Sequence, residues 1–279
     1  MKIRRLMFVL PNLFTLTSIF CGFYAITLCA AEATAAQLYQ AALAIFFAMF
    51  FDGFDGRVAR LTKTQSVFGI ELDSLADIVS FGVAPAILVY KWALMPLGFI
   101  GTFVSFSYVA CGALRLARFN VLAQRSNHGA SPFFIGLPIP LAAGMIVSMV
   151  IAHYGARGRV PVGTHVPIAI IVAVLSVLMV STVRYRTFKD VRLSKKSASV
   201  FMLICATGVV IATQLHPAYV LLAYFSIYLV LGIIESGVLL KNHLAARKLA
   251  ATTATAAGPV LSSEDEEEEA GEVDEQDFL

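Results

Sequence analysis

The sequence predicts an all-α membrane protein, a polytopic bundle of about eight transmembrane helices. Hydrophobic residues make up 58% of the 279 residues and charged residues 14%, whereas soluble domains are closer to half apolar and a quarter charged. The mean hydropathy is +0.80, and long apolar runs recur between shorter polar segments. Both features favour repeated crossing of a bilayer over an ordinary soluble fold.

Each predicted span is an apolar run of roughly 15–23 residues, the length that crosses a bilayer as a helix. The first run follows MKIRR and resembles the apolar part of a signal peptide, but no convincing small-residue cleavage site follows it. It is therefore interpreted as a transmembrane helix. In chain order the predicted spans are Leu10–Ala31, Ala41–Arg57, Leu75–Leu94, Leu97–Leu116, Phe134–Tyr154, Val166–Val183, Val200–Thr213 and Ala218–Leu240.

The distribution of lysine and arginine gives the expected orientation. If the N-terminus is cytoplasmic, the segments on that side hold 18 basic residues, and the opposite side holds only Lys91, Arg157 and Arg159. This asymmetry follows the positive-inside rule with both termini in the cytoplasm. Removing one span would place the basic segment RYRTFKDVRLSKK on the opposite side, so the charges support a count of eight.

The composition changes after residue 249, where ATTATAAGP leads into an acidic segment. Ten of the 18 acidic residues lie in the last sixteen positions. Such a segment cannot bury enough apolar surface to fold alone. We therefore expect a transmembrane domain over residues 1–249 and a disordered acidic tail over residues 250–279.

Four aspartates on two neighbouring predicted helices are the principal candidate functional residues. Asp52 and Asp55 are three residues apart, and Asp73 and Asp77 are four apart, so each pair shares one face of its helix. The polar segment Leu61–Ser66 suits a turn between antiparallel helices. Closing this hairpin brings the four carboxylates together near the cytoplasmic membrane surface.

Carboxylates that converge at a membrane boundary repel one another and lose hydration, so a positive partner is expected. An all-oxygen ligand set favours Mg²⁺ or Mn²⁺, and four carboxylates suffice for two ions about 4 Å apart, as in phosphoryl chemistry. The small residues Gly56, Ala59 and Gly69 lie along the same helices. They leave room for a flat group such as a nucleobase, although a stripe of small residues also serves plain helix packing.

The complete pattern, D-x2-D-G-x2-A-R-x8-G-x3-D-x3-D, resembles the signature of the CDP-alcohol phosphotransferase family. The resemblance implies an active site at the cytoplasmic face, where two metal ions bridge a CDP pyrophosphate. It also implies that all four aspartates bind metal and that Asp77 is the catalytic base for the attacking hydroxyl. The residues that match, with every spacing intact, are Asp52, Asp55, Gly56, Ala59, Arg60, Gly69, Asp73 and Asp77.

The nucleotide site implied by this resemblance includes the first predicted helix. The segment PNLFTLTSIFCG is similar to the opening helix of family members, where Asn12 and Thr15 would lie near the nucleotide. No role is assigned to Ser18. The residues expected to bind CDP are Asn12, Thr15, Asp52, Gly56, Ala59, Arg60 and Gly69.

Further segments resemble the family members that use serine as the acceptor alcohol. They are GIELDSLADIVSFGVAP, RLARFN and FFIGLPIP. The resemblance implies transfer of the phosphatidyl group from CDP-diacylglycerol to the hydroxyl of L-serine, with release of CMP. Arg115 and Arg118 are candidates for binding the acceptor or a phosphate, and Glu71 for binding the serine ammonium. Anchoring at the membrane interface is the alternative role for the two arginines.

The same resemblance sets expectations for location and partners. They are a bacterial inner (cytoplasmic) membrane, contact with membrane lipids, a homodimer, and no nucleic-acid partner. Two alternatives remain open. One is another enzyme of the family, chiefly phosphatidylglycerophosphate synthase, which would be separated by its acceptor alcohol. The other is an ion or solute transporter, because intramembrane acids commonly line ion pathways.

Overall fold

A computed structural model describes residues 2–30, 32–62, 64, 66–125, 133–155, 165–181, 183–186 and 219–232. These residues form a helical bundle with one short two-stranded ribbon, which the sequence analysis did not predict. The helices are α1 (Lys2–Ala30), α2 (Ala35–Thr62), α3 (Val67–Leu97), α4 (Phe99–Arg125), α5 (Ile139–Gly155), α6 (His165–Val180) and α7 (Tyr219–Gly232), and the strands are β1 (Phe133–Ile135) and β2 (Arg184–Arg186).

Helices α1 to α4 each contain a segment long and apolar enough to cross a membrane. The shorter apolar helices α5, α6 and α7 coincide with three further predicted spans. The prediction of a helical membrane protein is thereby supported. The seventh predicted span, Val200–Thr213, and the predicted boundary at residue 249 lie outside the described residues.

The core around α1 and α2 is built largely from small side chains. Ala25 on α1 and Ala41, Ala42 and Ala48 on α2 are all at most 1% exposed. Small residues let two helix backbones approach closely, which is the usual basis of helix packing inside a membrane. This close approach places the polar residues of α1 beside the aspartate-bearing end of α2.

Four residues connect α2 to α3, of which the structure describes Thr64 and Ser66. The Ser66 side chain caps α3 by accepting a hydrogen bond from the Gly69 amide at 3.0 Å. At the preceding helix end, the Thr64 amide donates to the Ala59 carbonyl at 3.0 Å. The turn is therefore shorter than the predicted Leu61–Ser66 segment, since α2 continues to Thr62.

Helix α3 departs from regular α geometry twice. Ile78–Val83 and Tyr90–Leu94 are π-helical, and Met95–Leu97 forms a final 3₁₀ turn. The wider turn of the first π segment is visible in the bond from the Ala84 amide to the Val79 carbonyl, five residues back. The first π segment begins directly after Asp77, so the irregularity lies beside a candidate site residue.

The β ribbon joins the entry of α5 to the exit of α6. Strands β1 and β2 are antiparallel, with Phe134 opposite Tyr185. Gly136 has a φ of +80°, and its amide donates to the Val183 carbonyl at 2.8 Å. A side chain at Gly136 would also collide with the Met179 carbonyl.

The ribbon corrects two predicted span boundaries. The sequence predicts Phe134 at the start of the fifth helix and Val183 at the end of the sixth. Phe134 lies in a strand, α5 begins only at Ile139, and α6 ends at Val180. The left-handed backbone of Gly136 and the following Pro138 set the change from strand to helix.

Candidate metal and nucleotide site

Helices α2 and α3 bring three carboxylates to one point. Single oxygens from Asp52, Asp55 and Asp73 all lie within 4.8 Å of one another. Asp52 and Asp55 reach this point because a spacing of three keeps them on one face of α2. Asp73 reaches it because the short turn after Thr62 folds α3 back along that face.

Asp77 completes the cluster from the next turn of α3. Its carboxyl group interacts with that of Asp52. One oxygen of Asp77, Oδ1, is buried and has no hydrogen-bond partner among the residues that the structure describes. A buried oxygen of this kind is costly unless a donor or a cation satisfies it.

Helix α1 orients Asp55. The Thr15 hydroxyl lies 2.8 Å from Asp55 Oδ2 and donates a hydrogen bond to it. The Gly56 amide donates to the other oxygen, Oδ1. Thr15 is 4% exposed and Asp55 is 7% exposed. Both oxygens of one carboxylate are thus held by the protein, which fixes the direction in which Asp55 faces its neighbours.

Two arginines face the cluster from different sides. Buried Arg115 on α4 interacts electrostatically with Asp77, and its guanidinium lies 5.5 Å from the Phe119 ring centroid. Exposed Arg60 interacts electrostatically with Asp55.

Four carboxylates therefore meet two arginines among the described residues, which leaves an excess of negative charge. The donor atoms are all oxygen, and one of them, buried Asp77 Oδ1, has no hydrogen-bond partner in the part of the chain that the structure describes. These residues fit hard divalent cations such as Mg²⁺ or Mn²⁺.

The remaining candidate residues divide into those near the cluster and those away from it. Asn12 Oδ1 lies 3.5 Å from the position that a Cβ on Gly69 would occupy, so a side chain there would narrow the space between α1 and α3. Half-buried Ala59 lies on α2 beyond the aspartates. Exposed Glu71 is not part of the cluster, and Arg118 donates to the Val180 carbonyl at 3.1 Å, at the end of α6.

Three residues that the sequence analysis left without a role pack behind the cluster. Ser80 donates to the Ser18 carbonyl at 2.9 Å, and Ser18 donates to the Ala48 carbonyl at 3.3 Å. Tyr108 donates to the Phe81 carbonyl at 3.1 Å. One signal was available in the sequence, since Ser18 follows Thr15 by three and places a second hydroxyl on the same face of an apolar helix.

Comparison with known proteins agrees with this geometry. Residues 8–160 match the CDP-alcohol phosphatidyltransferase family. The CDP-diacylglycerol–serine O-phosphatidyltransferase of Helicobacter pylori (strain ATCC 700392 / 26695) is 39% identical over 233 residues, which cover 82% of this chain and 91% of that protein. The enzyme of the same name from Bacillus subtilis is 38% identical over 182 residues, 64% of this chain and 91% of that protein.

A third relative, from an archaeon, is named for a different lipid product from the two bacterial enzymes. The archaetidylserine synthase of Methanothermobacter thermautotrophicus is 37% identical over 178 residues, which cover 63% of this chain and 69% of that protein. The matched family region contains the whole aspartate pattern, from Asp52 to Asp77. The resemblance inferred from that pattern is confirmed, and the chain belongs to the CDP-alcohol phosphatidyltransferase family.

Proposed function

We propose that this protein transfers the phosphatidyl group of CDP-diacylglycerol to the hydroxyl of L-serine and releases CMP. The convergence of Asp52, Asp55 and Asp73, with Asp77 beside them, is the observation that carries the proposal. Relatives from two bacteria are named for this reaction and match along most of their length. An archaeal relative is also named as a serine-lipid synthase, which supports serine over other acceptor alcohols.

Two divalent cations, Mg²⁺ or Mn²⁺, are proposed as cofactors, held by Asp52, Asp55, Asp73 and Asp77. When bound, such ions neutralise the CDP pyrophosphate and stabilise the charge that develops on CMP. The protein supplies the orientation of the ligands. Thr15 and the Gly56 amide fix both oxygens of Asp55, so the carboxylates need little rearrangement to bind metal.

Asp77 is proposed to accept the proton of the attacking hydroxyl. The serine oxygen forms a bond to the phosphorus that carries diacylglycerol, and the bond from that phosphorus to the CMP oxygen breaks. The serine proton passes to the Asp77 carboxylate, whose Oδ1 has no hydrogen-bond partner within the described part of the chain. Direct in-line attack is favoured, since the hydroxyl beside the described aspartates, that of Thr15, is held as a hydrogen-bond donor to Asp55.

The substrate contacts proposed for the other residues follow from where their helices place them. Asn12 and Gly69 line the space between α1 and α3. The remaining residues proposed to bind CDP are Thr15, Asp52, Gly56, Ala59 and Arg60.

Arg115 is the better candidate for the acceptor carboxylate, because it is buried beside Asp77. The bond from Arg118 to the Val180 carbonyl supports a role for that residue in holding α4 against the end of α6. Glu71 is exposed and lies away from the cluster, so its proposed contact with the serine ammonium has less support.

The proposed membrane arrangement has eight spans, both termini and the active site on the cytoplasmic side, and an acidic tail over residues 250–279. The excess of lysine and arginine on one side supports this orientation. An inner-membrane location and a homodimer are proposed from the resemblance to the family. Labelling of single cysteines placed in successive loops, by a reagent that does not cross the membrane, tests the orientation.

The direct test of function measures CMP release by purified protein in lipid nanodiscs with CDP-diacylglycerol and Mn²⁺ or Mg²⁺. L-serine, glycerol 3-phosphate and inositol are compared as acceptors, with the Asp77→Asn variant as the control. We expect CMP release that depends on L-serine and is lost in the variant. CMP release with another acceptor alone would agree with the family assignment and would reject serine as the acceptor. No release with any acceptor, from folded protein supplied with metal, would favour the transporter.

A further inference from the structure

The π-helical segment that follows Asp77 changes the direction in which α3 presents its side chains. Residues Ile78–Val83 adopt this conformation, and the Ala84 amide bonds to the carbonyl of Val79 instead of that of Ser80. A π turn is wider than an α turn and shifts the helical register of the residues beyond it. The orientation of Asp77 relative to the rest of α3 therefore depends on this turn being kept.

The Tyr108 hydroxyl binds the turn from α4. It donates to the Phe81 carbonyl at 3.1 Å, and Tyr108 is completely buried. Widening a helix weakens its regular ladder of backbone bonds, so a carbonyl in the widened turn benefits from an additional donor. A buried tyrosine hydroxyl in turn requires an acceptor. The two needs are met by one bond between α3 and α4.

Helix α1 also binds the same turn. The Ser80 hydroxyl donates to the Ser18 carbonyl at 2.9 Å, and both residues are fully buried. Helix α1 can approach this closely because residue 22 is glycine, where a Cβ would lie 2.8 Å from Ser80 Cα. The π turn is thus fixed to α4 and α1 by hydroxyl groups that do not reach the carboxylates themselves.

We propose that Tyr108 is a positioning residue for Asp77, acting through the π turn that its hydroxyl holds at Phe81. This inference rests on the proposed function, in which Asp77 receives the proton of the acceptor hydroxyl. Tyr108 contacts neither substrate nor metal in this account. It keeps Asp77 Oδ1, which has no hydrogen-bond partner among the described residues, directed at the acceptor. Without the Tyr108 hydroxyl, the four carboxylates remain in place. The proton transfer from the acceptor hydroxyl to Asp77 is then poorly aligned.

The test replaces Tyr108 by phenylalanine, which keeps the ring and removes only the hydroxyl. With L-serine as acceptor, we expect kcat to fall about tenfold, because small displacements of a reacting group are costly, while KM for CDP-diacylglycerol changes less than about twofold. Amide hydrogen exchange over residues 78–84 should become faster in this variant. A role limited to global stability would not produce this separation of kcat from KM or a local change in exchange.

Tyr154→Phe is the matched control. Tyr154 is a half-buried tyrosine whose ring contacts Tyr39, near the start of α2, whereas Asp52 lies near the other end of that helix. We expect its kcat and the exchange of residues 78–84 to equal those of the wild type.

An active wild type whose Tyr108→Phe variant keeps its kcat would overturn the positioning role. A variant that loses kcat, raises KM and exchanges faster throughout the protein would overturn it in favour of a general structural role. If Tyr108→Phe does not fold, Ser80→Ala is measured by the same criteria, and unchanged kcat and exchange in that variant would overturn the proposal. A wild type that releases no CMP with any acceptor refutes the proposed function instead.

Discussion

The hydrogen bond from Thr15 to Asp55 can be removed with little change in side-chain shape. Thr15→Val replaces the hydroxyl by a methyl group in a position that is 4% exposed. The bond at 2.8 Å is lost, and Asp55 Oδ2 has one donor fewer. We expect this variant to bind activating metal more weakly, because Asp55 would no longer be held in the direction that faces Asp52 and Asp73.

The size of the expected loss in metal affinity follows from the kind of hydrogen bond that is removed. A hydrogen bond to a charged group contributes about 1.5–3 kcal/mol, and loss of a residue that orients a metal ligand typically reduces metal affinity roughly 10- to 100-fold. The Gly56 amide still holds the other oxygen of Asp55, and Arg60 still faces the carboxylate. We therefore expect the lower end of this range, an increase of about tenfold in the Mn²⁺ concentration that gives half-maximal activity.

The assay is CMP release as a function of Mn²⁺ concentration, at saturating CDP-diacylglycerol and L-serine. Direct measurement of free Mn²⁺ by electron paramagnetic resonance gives the affinity independently of turnover. Thr17→Val is the matched control, since the Thr17 hydroxyl donates to the Leu13 carbonyl of its own helix at 2.8 Å. We expect that control to retain the wild-type dependence on Mn²⁺.

A different pattern would refute this interpretation of Thr15. If Thr15→Val leaves the Mn²⁺ dependence unchanged and raises KM for CDP-diacylglycerol, then Thr15 acts through its proposed contact with the nucleotide alone and does not orient a metal ligand. If it lowers only the thermal midpoint, its hydroxyl serves packing between α1 and α2. The three outcomes are distinguishable because metal affinity, lipid KM and stability are measured separately.

Three further predictions concern packing, the acceptor and the cofactor. Gly22→Ala should lower the thermal midpoint by destabilising the fold by about 1–3 kcal/mol, since its Cβ would lie 2.8 Å from Ser80; Gly53→Ala, with open space around its Cβ, should not. Arg115→Lys should raise KM for L-serine about tenfold in acceptor titrations, because lysine cannot reproduce the planar guanidinium beside Phe119; an unchanged KM would exclude an acceptor contact. Chelation by EDTA should stop CMP release and added Mn²⁺ should restore it, whereas activity in EDTA would contradict the metal requirement.

The convergence of the aspartates was predictable because it depends on local rules. Spacings of three and four place Asp52 with Asp55 and Asp73 with Asp77 on helix faces, and the short turn between α2 and α3 leaves little freedom in how the faces meet. The Ser66 cap is local as well, since its acceptor and donor are three residues apart. Such features can be predicted without knowing how distant parts of the chain fold.

The hydrogen bond that holds the π turn and the pairing of the β ribbon could not be predicted from such local rules. The bond from Tyr108 to Phe81 spans 27 residues and joins α4 to the π turn of α3. The ribbon pairs Phe134 with Tyr185 across two intervening helices. A three-residue strand inside an apolar run has no periodicity that distinguishes it from helix. Tertiary contacts decide both features.

The residues that contact the aspartates lie early in the chain, and this has a consequence for biosynthesis. Every described residue that contacts the aspartates, from Thr15 to Arg115, comes from α1 to α4. Strand β2 and the Val180 carbonyl bound by Arg118 lie more than fifty residues later. The aspartate cluster can therefore assemble once the first four helices have left the ribosome. Closing the β ribbon is a later event, and a chain truncated after α4 already contains all four aspartates.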